Sequence, residues 1–501
     1  MNGDAESKDD LSLPPRNQYV TSPSQCKVLA SSPETDNQDA PSLLIDTPLC
    51  QGWHLFDVSM GQPKTTIIIQ LSSHLSEASA QGAALLRLFL EVLELSFNKR
   101  RYMAEEGGLS IDITNYSFSS PCSGLRIMLH GYSHKLPVLL RDVIQEIASL
   151  IIDKDMFDMA KEKAVLDYRN RKFQQPYQHS LLSCHKVLES PFFSYQERLA
   201  AVEASSVQDL ESFKQSFVSS LSIQALIIGN IPSTDATDLL SEVQETLGPS
   251  KPQELPKLSI SKLSPGMVVT HERVCPDPDH VDSAVSLYLQ VGPQTHEIDA
   301  EMELLCQMLD KAAYTQLRTQ EQLGYIAWAE VHSRWGVTGL RIAVQSVKDP
   351  EDLADRIRGL LVSFREQLSG MDEEELAAHI NSLILKKLEP DRNLESKCAR
   401  LFHEIVTHRF VFDRRMRQVQ HLRKVSKHTL LTLYDEWFAE TSVKRNELVS
   451  AIIGKEALSA RASDQKEEKL VRVCKIGEEQ DIQEMGVDEF VNGLDRYYEQ
   501  A

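Results

Sequence analysis

Gly124-Leu-Arg-Ile127 and Gly339-Leu-Arg-Ile342 are the same tetrapeptide, separated by 339 − 124 = 215 positions in a chain of 501 residues. A second pair of similar segments, Ile223-Gln-Ala-Leu-Ile-Ile-Gly229 and Leu448-Val-Ser-Ala-Ile-Ile-Gly454, is separated by 454 − 229 = 225. One matching tetrapeptide can arise by chance, but two pairs that bracket the same order of elements indicate a repeat. The sequence therefore predicts an internal duplication of roughly 220 residues.

Hydrophobic periodicity predicts the same order of elements in both copies. In the first copy we expect strands at 65–71, 109–116 and 124–130 and helices at 78–100, 136–151 and 155–173. In the second copy we expect strands at 285–291, 325–331 and 339–345 and helices at 298–319, 350–368 and 372–388. Hairpin-like strand pairs mixed with long helices favour an antiparallel or mixed sheet over a doubly wound parallel one.

We therefore predict an α+β fold of two homologous domains, 46–250 and 265–501, each a mostly antiparallel mixed sheet with helices packed on one face. Residues 1–45 are rich in Ser, Pro, Asp and Asn and are predicted to form a polar linker or arm. The Pro- and Ser-rich residues 251–264 are predicted to link the two domains.

The composition restricts the partners of this chain. Asp and Glu outnumber Lys and Arg by 73 to 53, a net charge of −20, which argues against nucleic acid or an anionic membrane and favours neutral or cationic partners. Eight cysteines without a C-x-x-C pair argue against a disulfide framework and a thiolate zinc site. The acidic first ten residues lack a secretory leader, and no run of 18 apolar residues occurs, so we expect a cytoplasmic protein.

Two histidine patterns come close to known zinc motifs without completing one. His403 and His408 are five residues apart, so on a helix their side chains point about 140° apart and not to one face. His74-Leu-Ser-Glu77 begins like H-x-x-E-H but has no second histidine. The sequence therefore predicts no catalytic metal site in this chain.

The stretch Leu317-Arg-Thr-Gln-Glu-Gln-Leu-Gly-Tyr325 has a basic residue near a predicted helix end, a glycine suited to positive φ, and a tyrosine that opens the next predicted strand. Such a segment could hold the guanidinium of Arg318 and the phenol of Tyr325 side by side as part of an active site. It could equally be an ordinary helix end, with Arg318 stabilising the helix dipole and Tyr325 packing on the sheet.

This stretch, the Gly339–Ile342 strand and Gln345-Ser346 together resemble the fourth domain of the zinc metalloendopeptidase family that contains insulysin (insulin-degrading enzyme), nardilysin and pitrilysin. Leu13-Pro-Pro-Arg-Asn-Gln-Tyr19 resembles the segment that precedes the third domain of that family, and Gln175-Pro-Tyr-Gln-His179 resembles the end of a third-domain helix. The resemblance implies four homologous α+β domains in two halves that close around a chamber. It also implies that this chain is the C-terminal half, with 46–250 as the third domain and 265–501 as the fourth.

The resemblance further implies which residues are functional. The zinc ligands and general base of the family lie in an H-x-x-E-H motif of the first domain, which this sequence lacks, so zinc is expected on a separate N-terminal half and no cofactor on this chain. Arg318 and Tyr325 match the Arg and Tyr that contact the scissile peptide. Subtracting 215 places their counterparts at Met103 and Ser110, so the first copy is predicted to lack the pair and the fold itself does not require it.

Three interpretations remain open at this point. The chain could be the half of a peptidase that encloses short peptides and requires a zinc-bearing N-terminal half. It could be a non-catalytic peptide-binding or scaffold subunit that pairs with a separate zinc-bearing chain. It could also be a truncated or spliced product of a longer gene, and in each case a homo-oligomer is possible.

Overall fold

The computed structural model describes residues 16–30, 40–115, 124–250, 257–461, 470–475 and 483–498. Its strands are β1 Ser42–Asp46, β2 Cys50–Phe56, β3 Lys64–Ser72, β4 Ser110–Thr114, β5 Gly124–Tyr132, β6 Glu189–Ser190, β7 Ser222–Gly229, β8 Ser259–Ser261, β9 Met267–Val274, β10 Ser283–Pro293, β11 Ala327–Arg334, β12 Val337–Ser346, β13 Glu447–Ile453, β14 Leu470–Lys475, β15 Gln483–Gly486 and β16 Arg496–Tyr498.

The first half contains the helices α1 Ala80–Glu106, α2 Leu136–Ser149, α3 Lys154–Asn170, α4 Pro176–Leu188, α5 Tyr195–Ala204, α6 Val207–Ser219 and α7 Ser233–Leu247. The second half contains α8 His296–Ala313, α9 Pro350–Gly370, α10 Glu373–Leu388, α11 Leu394–Val406, α12 Arg414–Leu422, α13 Lys427–Trp437, α14 Lys455–Ala460 and α15 Val487–Gly493. A π-helix, Tyr314–Gln320, directly continues α8.

The two large sheets repeat one topology. From its edge, the first sheet runs β4-β5-β3-β7-β2-β1, and the second runs β11-β12-β10-β13-β9-β14 with β15 added. In both sheets the paired strands are antiparallel except for one parallel pair, β2 with β7 and β9 with β13. The predicted α+β class, with mostly antiparallel mixed sheets, is confirmed.

The long helices α1 and α8, which follow the equivalent strands β3 and β10, each start at a defined cap. The Ser79 hydroxyl accepts a hydrogen bond from the Gly82 N–H at the start of α1, and the Thr295 hydroxyl accepts one from Ile298 at the start of α8. Such caps satisfy backbone donors that have no partner within the helix. One apolar face of each helix is then buried in the core of its own half, where Phe89 and Leu305 are completely buried.

Each sheet is also covered by one helix from the other half of the chain. Helix α4 packs its Val187 and Leu188 against Tyr288 and Leu448 of the second half. Reciprocally, α11 packs against the first sheet, where Leu394, Cys398, Leu401 and Phe402 contact Leu55, Ile68, Leu226 and Ile228. Helices therefore cover both faces of each sheet, not one face as predicted. As a result the central strands are buried along nearly their whole length, whereas a sheet with one solvated face would alternate.

Parts of both predicted linkers belong to the folded core. Within the predicted arm, Tyr19 is fully buried and its hydroxyl donates to Asp142 at 2.5 Å, while Ser42–Asp46 forms strand β1. Within the predicted 251–264 linker, β8 pairs with β6 and β16 in a small third sheet. Polar composition hid these elements because a single aromatic anchor or a three-residue strand leaves no periodic pattern. Residues 1–15, 31–39 and 251–256 lie outside the described residues.

Candidate active site around Arg318 and Tyr325

The segment between α8 and β11 is fixed at two buried leucines. Leu317 in the π-helix is fully buried and Leu323 is 4% exposed, and both belong to the core of the second half. The Leu323 N–H donates to the Leu317 carbonyl at 3.0 Å, which closes the turn between them. The side chains that flank these anchors are therefore held on a short, constrained segment.

The glycine of this segment has a different role from the one predicted. The helix is left through positive φ at Gln322 (φ 52°), and Gly324 does not have positive φ. A Cβ at Gly324 would lie 2.1 Å from the carbonyl oxygen of Gln345, so the position requires glycine because another backbone approaches it. Strand β11 begins at Ala327, and Tyr325 therefore precedes the strand that it was predicted to open.

Arg318 and Tyr325 are in direct contact. The guanidinium carbon of Arg318 lies 4.1 Å from the centre of the Tyr325 ring and 4.7 Å from the centre of the Tyr314 ring. These distances are typical of cation–π contacts. The Tyr325 side chain is 78% exposed, so the interpretation in which it packs on the sheet is wrong.

Sequence reasoning missed Tyr314, which is 49% exposed. Tyr314 precedes Arg318 by four residues, a spacing that places two helical side chains on one face, and this signal could have found it. Among the residues that the structure describes, no carboxylate lies within ion-pair distance of Arg318. Its N–H donors and the Tyr325 hydroxyl are thus available to a ligand.

The group formed by Arg318 and Tyr325 can stabilise oxygen atoms that carry negative charge. The guanidinium offers five N–H donors in a fixed plane, and the phenol offers one O–H donor. Donors held in place before a reaction stabilise charge that develops in the transition state without a reorganisation cost. The arrangement suits contact with a carbonyl group of a bound peptide.

The strand pairing corrects the counterparts of this pair in the first copy. Ile113 of β4 pairs with Ile127, and Ala329 of β11 pairs with Ile342. The inner strands keep the offset of 342 − 127 = 215, but the edge strands differ by 329 − 113 = 216.

The counterparts of Arg318 and Tyr325 are therefore Tyr102 and Leu109, not the predicted Met103 and Ser110. Tyr102 is 65% exposed at the surface of α1, and Leu109 is buried at 2%. The first copy therefore has a phenol in place of the guanidinium of Arg318 and a buried leucine in place of the phenol of Tyr325. As predicted, the fold does not require the Arg–Tyr pair.

Among the described residues, the two histidines of the first near-zinc pattern lie on different structural elements. His403 lies in α11, and His408 lies beyond the end of that helix at positive φ (52°). Across the described ranges, no group of three or more His, Cys, Asp or Glu side chains could hold a metal ion. No helix in those ranges is long and apolar enough to cross a membrane.

Comparisons with known proteins identify the family and the fold of this chain. The profile of the middle or third domain of peptidase M16 matches residues 2–201, and the profile of domain 4 in the C-terminal lobe of PqqF-like PQQ synthase matches residues 304–402. The crystal structure of pitrilysin superposes with a TM-score of 0.83 at 20% sequence identity, covering 98% of this chain and 49% of that one. The chain belongs to the M16 peptidase family, as its resemblance to pitrilysin, insulysin and nardilysin predicted.

Within this family, the chain is similar to insulin-degrading enzyme. The Homo sapiens enzyme is 27% identical over 463 residues, which are 91% of this chain and 44% of that protein. Nardilysin of Homo sapiens is 28% identical over 446 residues, which are 87% of this chain and 37% of that protein. The chain spans less than half the length of these curated relatives.

Proposed function

We propose that this chain acts as the C-terminal half of an insulysin-like zinc metalloendopeptidase. In this proposal Arg318 and Tyr325 contact the scissile peptide, while a separate N-terminal half that carries H-x-x-E-H holds the zinc. The observation that carries the proposal is the contact between Arg318 and the exposed Tyr325, on a segment anchored by buried Leu317 and Leu323 in the second copy.

Each side chain has a defined role in the proposed reaction. The Tyr325 hydroxyl donates a hydrogen bond to the oxyanion that develops as the peptide carbonyl is attacked. The Arg318 guanidinium donates to a neighbouring backbone carbonyl of the peptide and stabilises the same negative charge. The two groups bind the transition state better than the ground state because the charge that they contact develops only during the reaction.

The charge of the chain suggests which peptides it favours. A net charge of −20 produces a negative potential that concentrates cationic ligands and repels strongly acidic ones. We therefore expect short unfolded peptides of neutral or positive charge as substrates.

The proposal is tested by reconstitution. The purified chain is assayed with a fluorogenic peptide, alone and after co-expression with the zinc-bearing N-terminal half of human insulin-degrading enzyme, and complex formation is followed by size-exclusion chromatography. We expect no cleavage by the chain alone and chelator-sensitive cleavage by the complex. Chelator-sensitive cleavage by the chain alone would contradict the proposal, whereas a stable complex without cleavage would favour a scaffold subunit.

A further inference from the structure

A cavity of about 800 Å³ lies between the two halves of the chain, and neither Arg318 nor Tyr325 lines it. Its walls are α4 and residues 189–198 from the first half, with β9, α15 and the turn after β11 from the second. The volume is within the range of sites that bind small molecules. The packing of α4 against the second half therefore leaves a space at the junction of the halves.

The lining of this cavity is positively charged in an otherwise acidic chain. Seven Arg or Lys side chains and five Asp or Glu side chains line it. The five acidic residues all have polar partners: Asp167 with Arg87 at 2.8 Å, Glu189 with Arg334 at 2.9 Å, Glu197 with Ser194 at 2.7 Å, and Glu77 with Arg198 and Asp488 with Lys186, each at 4.0 Å.

Of the seven cations, Arg171 and Arg273 have neither an ion pair nor a side-chain hydrogen bond to a described residue, whereas Arg496 donates to a backbone carbonyl. Among the described residues, no carboxylate lies within ion-pair distance of Arg171 or Arg273. The guanidinium carbon of Arg171 lies 5.3 Å from the centre of the Tyr168 ring, a contact that uses none of its N–H donors on a carboxylate. Burial lowers the pKa of Arg171, and the positive charge of the nearby Arg198 adds to that effect. Keeping Arg171 charged beside Arg198 therefore costs free energy, which a bound anion would offset.

The remaining wall is largely aromatic. Phe192, Phe193, Tyr195 and Trp335 line the cavity together with His179. Arg273 is close enough to His179 and to His271 to lower the pKa of both imidazoles, with burial as the larger cause. Cations without partners beside aromatic rings complement a molecule with an anionic group and an apolar body.

We propose that this cavity binds a small organic oxyanion, a carboxylate or a phosphate ester carried on an apolar body, for which Arg171 and Arg273 supply the positive charge. The aromatic wall formed by Phe192, Phe193, Tyr195 and Trp335 contacts the apolar body. Carboxylate and phosphate share the acceptor geometry that a planar guanidinium recognises. Binding here is independent of peptide cleavage at Arg318 and Tyr325.

Calorimetry with three probes tests the site. We expect 3-phenylpropionate, phenyl phosphate or both to bind saturably to the purified chain, and the neutral 3-phenylpropionamide to bind at least about tenfold more weakly, because charge-assisted hydrogen bonds are lost. The double variant Arg171→Gln/Arg273→Gln should lose about tenfold or more in affinity for the anion that binds. The matched control Arg141→Gln/Arg392→Gln removes two surface charges and should bind as the unaltered chain does.

A second measurement needs no variant. Phenylglyoxal modifies accessible guanidinium groups, and mass spectrometry identifies the modified arginines. A bound anion should slow modification of Arg171 and Arg273 several-fold and leave Arg392 unchanged. Binding of only one anion identifies the preferred headgroup. Lack of saturable binding by both anions, equal affinity in the double variant, or equal modification with and without the bound probe would overturn the proposal.

Discussion

The same helix end is built in two ways in the two halves of this chain. In the first half, α1 remains α-helical to Glu106 and the chain turns at Gly108, with φ of 77°, into the edge strand β4. In the second half, α8 changes to a π-helix at Tyr314, and the chain turns at Gln322 towards the edge strand β11. π-Helical turns often occur at functional sites. The two copies share a scaffold, and the second copy places the guanidinium of Arg318 against the exposed phenol of Tyr325.

The comparison separates fold from function within one molecule. Leu109 and Tyr325 occupy matching positions, yet Leu109 is buried in the core and Tyr325 is almost fully exposed. The buried leucine shows that an apolar contact would serve the fold at this position. The exposed Tyr325, in contact with Arg318, supplies no such apolar contact, as the proposed catalytic role requires. Each copy supplies a control for the other in testing that role.

The largest expected effect is on catalysis by the reconstituted enzyme. Arg318→Ala should lower kcat/KM by about 10²–10³ because one preorganised donor to the transition state is lost. The melting temperature should change little, since the partly buried Arg318 forms no ion pair with any described carboxylate and its guanidinium contacts the exposed rings of Tyr314 and Tyr325. Arg356→Ala is the matched control, because this nearby guanidinium pairs instead with Glu321 at 3.7 Å. Full activity of Arg318→Ala would show that the guanidinium has no role in the reaction.

The second effect concerns the two turn glycines. Gly324→Ala places a Cβ 2.1 Å from the Gln345 carbonyl oxygen, and displacing that backbone should cost about 1–3 kcal/mol. Gly108→Ala at φ 77° should cost about 1 kcal/mol through left-handed strain, with Tyr132 3.1 Å from the new Cβ. Thermal unfolding of both variants should therefore show the larger loss for Gly324→Ala. The reverse order would mean that the close backbone approach does not determine the choice of glycine.

The third effect concerns the contact between the halves and depends on pH. Burial, followed by the charges of Arg273 and Lys186, lowers the pKa of His271 from 6.5 to about 4, and its Nδ1 lies 2.7 Å from the Ser183 hydroxyl of α4. Because the unfolded chain takes up this proton at higher pH, the neutral buried imidazole stabilises the fold fully only above about pH 6.5. That stability is lost progressively as the pH falls towards about 4.

Denaturant unfolding at pH 7 and pH 5 measures this loss. The unaltered chain should lose roughly 2 kcal/mol from His271 between these values, and His271→Gln should show a correspondingly smaller dependence on pH. His428→Gln changes an exposed histidine and should keep the original dependence. An identical pH dependence in His271→Gln and the unaltered chain would contradict this assignment.

Much of the fold was predictable because it depends on local patterns. The duplication, the order of the main elements and the α+β class follow from two repeated segments and from hydrophobic periodicity. The packing of α4 on the second sheet and of α11 on the first sheet was not predictable. An amphipathic pattern shows that a helix buries one face but not which sheet covers that face. Tyr19 was missed for a similar reason, since its partner Asp142 is 123 positions away.

The candidate site was predictable in part. Arg318 and Tyr325 were found because they lie in one short motif. The sequence predicted a glycine at 324 for positive φ, but the approach of the Gln345 backbone is what requires it. The two causes cannot be told apart from the sequence, because both select glycine. The cavity of Arg171 and Arg273 was not predicted, because its residues come from separate elements of both halves and form no sequence motif.

The most direct test of the central claim compares one substitution at two tyrosines that lie at the matching helix ends. Tyr325→Phe and Tyr102→Phe each remove a single hydroxyl from an exposed ring, and kcat of the reconstituted enzyme is measured for both. We predict that Tyr325→Phe lowers kcat by about 10²–10³ while Tyr102→Phe retains the full value, with equal melting temperatures. Equal kcat for the two variants would contradict the claim that the second copy alone carries the catalytic phenol.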